Sequence, residues 1–113
     1  MSEIKDFVPR TSLFMAGIRA IETERPDRLF EDPFAAKLAG VEILALLEPW
    51  KKEYLENGNS VVTVRTRFFD DFLSSSAAKL SQIVILGAGM DTRAFRLPWL
   101  SGTHIYELSL IHI

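Results

Sequence analysis

Gly87 and Gly89, placed directly after the apolar run Ile83-Val84-Ile85-Leu86, are the residues whose types and spacing best suit chemistry. Consecutive apolar residues rich in Ile and Val suit a parallel strand covered on both faces. Two glycines separated by one residue then strip the following turn of side chains. A ligand can approach the N–H groups of such a turn closely, which is how a nucleotide-type cofactor site begins. A dinucleotide fingerprint would require a third glycine, and that position is Thr92. Glu107 follows Gly87 by about 20 residues, the spacing of an acid that holds ribose hydroxyls. That spacing follows from β-α-β geometry, so it suits any adenosine-containing ligand and leaves the cofactor class open. The tight turn also has a plain reading, in which the glycines serve only the backbone.

Arg65 is the second residue of interest. It lies within a stripe of Val61, Val64, Phe68, Phe69, Phe72 and Leu73, one helical turn from both Val61 and Phe69. A charge in that position needs a partner, or must reach along the helix edge to water. Arg67 faces the other way and has Asp70 and Asp71 three and four residues on, the spacing of a solvated intrahelical pair. Arg19 has Glu22 at i+3, which offers the same ordinary explanation.

The elements that must position these residues can be read from their start and stop signals. Phe14, Ile18 and Ile21 recur at helical intervals behind Thr11 and Ser12, which predicts a helix that ends before Pro26. Asp32-Pro33 starts a second helix, and Gly40 is placed to end it. Val41 to Leu47 continues helical up to Pro49. Asn57-Gly58-Asn59-Ser60 is a turn cluster, with Ser60 capping the helix that carries Arg65. A strand follows at about Gln82, then the glycine turn, then a short helix capped by Asp91 and stopped by Pro98. Thr103 to Leu108 forms a second strand. Trp50, Trp99 and the eight Phe residues are expected in the core. The fold class is therefore α/β: a helical preface over residues 1–80, then the first strand, helix and strand of a doubly wound sheet over 81–107. Two parallel strands cannot bury both faces of a sheet, so the sheet reads as truncated.

Composition excludes several classes. The 113 residues suit one domain, and 48% apolar with 25% charged residues is ordinary globular content. A net charge of −2 with no dense Lys/Arg block gives no footprint for nucleic acid or an anionic membrane surface. The absence of cysteine excludes disulfides, a Cys-ligated zinc site and a thiol nucleophile. No set of metal ligands is read. No stretch approaches the roughly 20 apolar residues of a membrane span, and the amino terminus has no apolar signal region, so the expected location is cytoplasmic.

The run Gly87-Ala88-Gly89-Met90-Asp91-Thr92-Arg93, followed by Phe95-Arg96-Leu97-Pro98-Trp99, resembles the cofactor motif of the leucine carboxyl methyltransferase-like family of S-adenosylmethionine-dependent methyltransferases. Thr11-Ser12 with Arg19-Ala20, Asp32-Pro33-Phe34-Ala35 and Arg65-Thr66-Arg67-Phe68-Phe69-Asp70-Asp71 resemble that family's amino-terminal blocks in the same order. The resemblance implies a Rossmann-like class I methyltransferase with S-adenosylmethionine as cofactor. It also implies that Arg65 clamps the cofactor's methionine carboxylate, and that Arg19 approaches the same group. Gly87 and Gly89 then form the cofactor turn, Glu107 ends the second strand, and Asp91 either bonds the cofactor or merely caps the short helix. Arg93 is expected to brace the turn through a carboxylate. His104 is expected to be an edge or packed residue. Catalytic residues cannot be named, because the acceptor pocket would come from later strands.

Similar proteins follow the second strand with Glu-x-Asp, the aspartate gripping ribose, whereas this chain has Ser109 at that position. The closing Leu108-Ser109-Leu110-Ile111-His112-Ile113 resembles the translation of a transposase mosaic-end adaptor. The expectation is that residues 108–113 are a non-native tail and His112 has no role. The reading is an incomplete and inactive amino-terminal part of a methyltransferase that passes a methyl group to a carboxylate or hydroxyl of a small-molecule or carboxylate-bearing acceptor. A non-enzymatic interaction fragment and a nicotinamide-binding oxidoreductase fragment are the alternatives. Oligomeric state is not readable.

Overall fold

The computed structural model describes residues 10–58 and 60–108. In chain order these form α1 (Arg10–Glu24), α2 (Ala35–Asn57), α3 (Val61–Ser76), β1 (Gln82–Leu86), the single turn α4 (Arg93–Arg96) and β2 (His104–Leu108). The two strands pair in parallel, with Gln82 opposite His104 and Leu86 opposite Leu108. This is a mixed α/β arrangement in which three helices precede a two-stranded sheet.

Local signals account for most boundaries. α1 runs to Glu24, just short of Arg25, whose helical conformation the ring of Pro26 disfavours. Asp32-Pro33 does not itself start α2: the N-cap is Phe34, without a side-chain cap bond, and Asp32 shapes the turn just before it by accepting from Phe34 N through Oδ1 at 3.1 Å and from Ala35 N through its carbonyl at 3.3 Å. Gly40, at φ 84° and ψ 165°, interrupts α2, which resumes at once. Ser60 caps α3 by accepting from Val62 N through Oγ at 3.2 Å.

Pro49 does not stop the second helix, contrary to the sequence expectation, and α2 continues to Asn57. A proline inside a helix costs about 3 kcal/mol, and tertiary packing beyond it offsets that cost. Tyr54 is 1% exposed, lies against Trp50 with ring centroids 4.8 Å apart, and donates its hydroxyl to Glu22 Oε1 at 2.9 Å. Thr63 of α3 hydrogen-bonds the same hydroxyl, so one side chain ties together three helices.

The apolar core sits between α1 and α2. Ala16, Ala39 and Ile43 are buried there, with Leu13, Phe14, Leu44, Leu47 and Met90 packed around them. The expected burial of the α3 stripe is not found: Val61 is 74%, Phe68 63% and Phe72 56% exposed. α3 instead turns its polar face inward, burying Thr63, Thr66 and Asp70. The same holds for β1, where Ile83 is buried while Val84 and Leu86 are exposed. Trp50, Phe34, Phe69 and Phe95 are also exposed rather than core, and Phe30 is buried. A one-sided apolar element needs an opposing layer, and among the described residues none covers these faces. The resulting body is a slab of 42 × 38 × 19 Å. Among the described residues no helix is long and apolar enough to cross a membrane. Ser109 and His112, and all but Leu108 of the presumed tail, lie outside the described residues.

Candidate functional site

β1 leads directly into the glycine turn, and both glycines take left-handed backbone conformations, φ 58° at Gly87 and 48° at Gly89. Any other residue would carry a steric cost there. The two differ in what surrounds them. A Cβ at Gly89 would lie 2.7 Å from Ser12 Oγ, so α1 is pressed against the turn at that point. A Cβ at Gly87 would meet nothing within 4 Å, because that side of the turn opens onto a cleft.

The cleft has a volume of about 300 Å³ and lies where α1, α3, the end of β1 and the glycine turn converge. That is the lower end of the size range of small-molecule sites, roughly 300–1,000 Å³. α1 contributes Ser12, Met15 and Arg19; α3 contributes Val62, Arg65, Thr66 and Phe69; the strand end and turn contribute Ile85 to Ala88, Met90, Asp91 and Arg93. Of the sequence-predicted site residues, Arg19, Arg65, Gly87 and Asp91 thus line one cavity. Gly89 sits behind the turn against Ser12, and Glu107 stands on β2 opposite Ile85.

Three arginines line the cleft, and their surroundings separate them. Arg93 donates through Nε to Asp70 Oδ1 at 2.9 Å and pairs with Asp91. This is the carboxylate brace expected of it. Arg19 does not pair with Glu22; its Nε donates to Asp32 Oδ2 at 3.0 Å and its Nη2 to the carbonyl of Met90. Glu22 is taken by Arg25 at 3.2 Å, by the Tyr54 hydroxyl and by Leu29 N at 2.7 Å. Arg65 is exposed and, among the described residues, makes no ion pair or hydrogen bond from its guanidinium. Arg67 forms the solvated pair with Asp71 at 2.9 Å and adds a bond to Leu29 O. His104 is exposed on β2.

Asp91 lines the cleft, and Glu107, outside its lining, lies within electrostatic reach of Asp91. Asp91 is not the N-cap of α4, contrary to the sequence expectation: that position is Thr92, which makes no side-chain cap bond, and Asp91, one residue earlier, accepts from Arg93 N through Oδ1 at 2.8 Å while lining the cleft. Desolvation by burial, with a smaller contribution from the Asp91 carboxylate, pushes the Glu107 carboxyl above its ordinary range. Two acids within electrostatic reach of each other favour a ligand that brings hydrogen-bond donors. Among the described residues no group of three or more His, Asp or Glu side chains is placed to hold a metal ion.

Two residues that support the turn without lining the cleft carry no such role in the sequence reading. Asp32 read as a helix start, yet its side chain is fully buried and accepts from Arg19, from Phe34 N and from the Thr92 hydroxyl at 2.7 Å. Thr92 read as a departure from a glycine pattern, yet its hydroxyl also accepts from Arg96 Nε at 2.8 Å. No local signal marks either role, because the bond between them joins residues 60 apart in the chain.

Residues 12–110 match the leucine carboxyl methyltransferase family. The chain belongs to that family. It is similar to a provisionally designated S-adenosyl-L-methionine-dependent methyltransferase of Parafrankia sp. (strain EAN1pec), with 47% identity over 89% of this chain and 35% of that protein. Two Mycobacterium sp. proteins with the same provisional designation, from strains KMS and JLS, are each 37% identical over 94% of this chain and 40% of their own length. The chain thus spans well under half the length of these relatives. Membership of the family gives the cleft a context: its walls are drawn from α1, α3 and the glycine turn, all within the matched residues.

Proposed function

We propose that this chain forms the amino-terminal part of an S-adenosylmethionine-dependent methyltransferase with a Rossmann-like cofactor domain, and that the cleft holds the cofactor. The helical preface, residues 1–80, supplies Arg19 and Arg65, and the β-α-β unit beginning at 81 supplies the glycine turn and Glu107. The observation that carries this reading is Arg65: it is a guanidinium facing a cleft beside a glycine turn, with no carboxylate of its own among the described residues. A planar fork of donors suits a carboxylate bidentately, and the methionine end of the cofactor presents one. The open space before Gly87 leaves room for the ligand backbone to pass close to the turn. Glu107 presents an acceptor for ribose hydroxyls, with Asp91, already held by Arg93, close to it. The names of the relatives and the family match support the same cofactor.

When bound, the cofactor supplies a methyl group already activated by positively charged sulfur, so the protein's task is alignment and exclusion of water. Arg65 would anchor one end of the ligand, the turn would fix its middle, and Glu107 would orient the other end. The methyl acceptor we propose is a carboxylate or hydroxyl of a small molecule; a hydroxyl would require a general base and a carboxylate would not. The residues that receive the acceptor would lie outside this chain, and on this reading the chain by itself transfers little or no methyl. Calorimetric titration with S-adenosylmethionine, with NADH as a parallel ligand, tests the proposal. Heat from the first and none from the second is expected. Binding of NADH alone, or of neither, would remove it.

A further inference from the structure

We infer that Asp32 is a positioning residue that latches the glycine turn to the helical preface and thereby sets the shape of the cleft. The inference rests on the reading of the cleft as a cofactor site. Its basis is the convergence of bonds on one fully buried carboxylate. Oδ2 of Asp32 accepts from Arg19 Nε at 3.0 Å and from Thr92 Oγ1 at 2.7 Å, and Arg96 Nε stands 3.7 Å away. Arg19, so held, donates onward to the carbonyl of Met90 inside the turn. The turn is therefore gripped twice, at Met90 through Arg19 and at Thr92 directly, and both grips end on Asp32.

A residue serving only the turn ahead of α2 would not need this arrangement, because the Oδ1 bond to Phe34 N suffices for that. The two carboxylate oxygens divide the work: Oδ1 serves the local turn, and Oδ2 serves α1 and the glycine turn. Burial makes the division consequential, since a carboxylate out of water is retained only if its partners are in place. Other contacts hold neighbouring points of the turn: Ala88 N donates to the carbonyl of Leu108 at 3.0 Å, and Arg93 ties Asp91 to Asp70; the Asp32 grips are the ones that reach Met90 and Thr92. A Cβ at Gly87 would meet nothing within 4 Å on the cleft side, and Met90 packs against the α1–α2 core. Thr92, at the third position of the glycine pattern, thus has a specific use: a glycine there would leave Asp32 without its hydroxyl donor.

Amide hydrogen exchange of the ligand-free protein, read together with S-adenosylmethionine affinity, tests this. Thr92→Val removes one grip while preserving shape, and Thr92→Ser restores the hydroxyl; Asp32→Asn weakens both grips. Exchange at Gly89 to Arg93 should rise about tenfold in Thr92→Val, return towards the parent in Thr92→Ser, and rise further in Asp32→Asn. Exchange in the α1 and α2 segments around Ala16 and Ile43 should be unchanged in the Thr92 pair. Affinity should fall in the same order. Unchanged turn exchange in Thr92→Val would overturn the latch, and so would equal loosening of Thr92→Val and Thr92→Ser. A loosened turn with full affinity would overturn the positioning role. If the parent chain binds no S-adenosylmethionine but the turn loosens as described, the latch is supported and the cofactor reading fails separately.

Discussion

Replacing Arg65 by alanine should weaken S-adenosylmethionine binding while leaving the fold almost untouched, a separation that follows from where its guanidinium lies. The side chain is exposed and makes no ion pair or hydrogen bond among the described residues, so its removal breaks no polar contact among them. Surface changes of that kind stay within about 0.5 kcal/mol of the parent stability. The bound state would lose a charge-assisted contact to a carboxylate, worth about 1.5–3 kcal/mol. That corresponds to roughly a 10- to 150-fold rise in Kd. Arg65→Lys keeps the charge and loses the fork, so it should fall between the two. Arg67→Ala is the control for overall charge: the residue is on the same helix, already paired with Asp71, and is absent from the cleft lining. Titration calorimetry at one ionic strength gives the affinities, and thermal melts give the stabilities. A change of less than about threefold for Arg65→Ala, or an equal change for Arg67→Ala, would refute the assignment of Arg65 as the anion clamp.

Phe72→Ala should cost under about 1 kcal/mol in this chain, against roughly 3–5 for a covered phenylalanine, because Phe72 is 56% exposed; the urea midpoint reads the difference, and a loss of the larger size would mean that this face is packed. Burial pushes the Tyr54 hydroxyl up to about 12. Since that lies above its unfolded value of about 10, the contribution is intact below pH 10 and is lost as pH rises from there towards 12. Tyr54→Phe should flatten that alkaline limb, and an unchanged slope in the variant would contradict the burial argument. Gly89→Ala should destabilise by about 1–2 kcal/mol from its left-handed backbone alone, with a further loss from Ser12 that Ser12→Ala relieves. Additive effects in that double-mutant cycle would show that the close approach of α1 to the turn does not exist in solution.

The parts of the fold legible in the sequence are those fixed by neighbours in the chain. The strand start at Gln82, the Ser60 cap, the end of α1 before Pro26 and the Arg67–Asp71 pair each depend on residues within a turn or two of one another. Gly87 and Gly89 were legible as a turn for the same reason. Pro49 misled because its local penalty is overridden by Tyr54, whose partners Glu22 and Thr63 come from two other helices. The burial of the α3 stripe misled differently. Periodicity reports which face of a helix is apolar, but it does not report whether another layer is present to cover it. The roles of Asp32 and Thr92 were illegible because the bond that defines them closes a loop of 60 residues.

The charges around the turn show why Arg65 stands apart. Asp32 faces Arg19, with Arg96 near it; Asp70 faces both Arg93 and Arg96; Asp91 faces Arg93. Three aspartates and three arginines thus neutralise one another in a network that braces the turn from below. Such a network is costly to break, since an orphaned buried charge costs about 3–5 kcal/mol, and it leaves none of its members wholly free to serve a ligand. Among the described residues, what remains unneutralised is the Arg65 cation on the α3 wall of the cleft and, outside the cleft's lining, the Glu107 carboxyl on β2, held high partly by Asp91. A ligand complementary to both must carry an anion at one end and hydrogen-bond donors at the other. An amino-acid carboxylate joined to a ribose meets that requirement, whereas a pyrophosphate flanked by two riboses places its negative charge in the middle. On the proposed reading, the polarity of the cleft therefore discriminates between the two cofactor classes that the glycine turn alone leaves open.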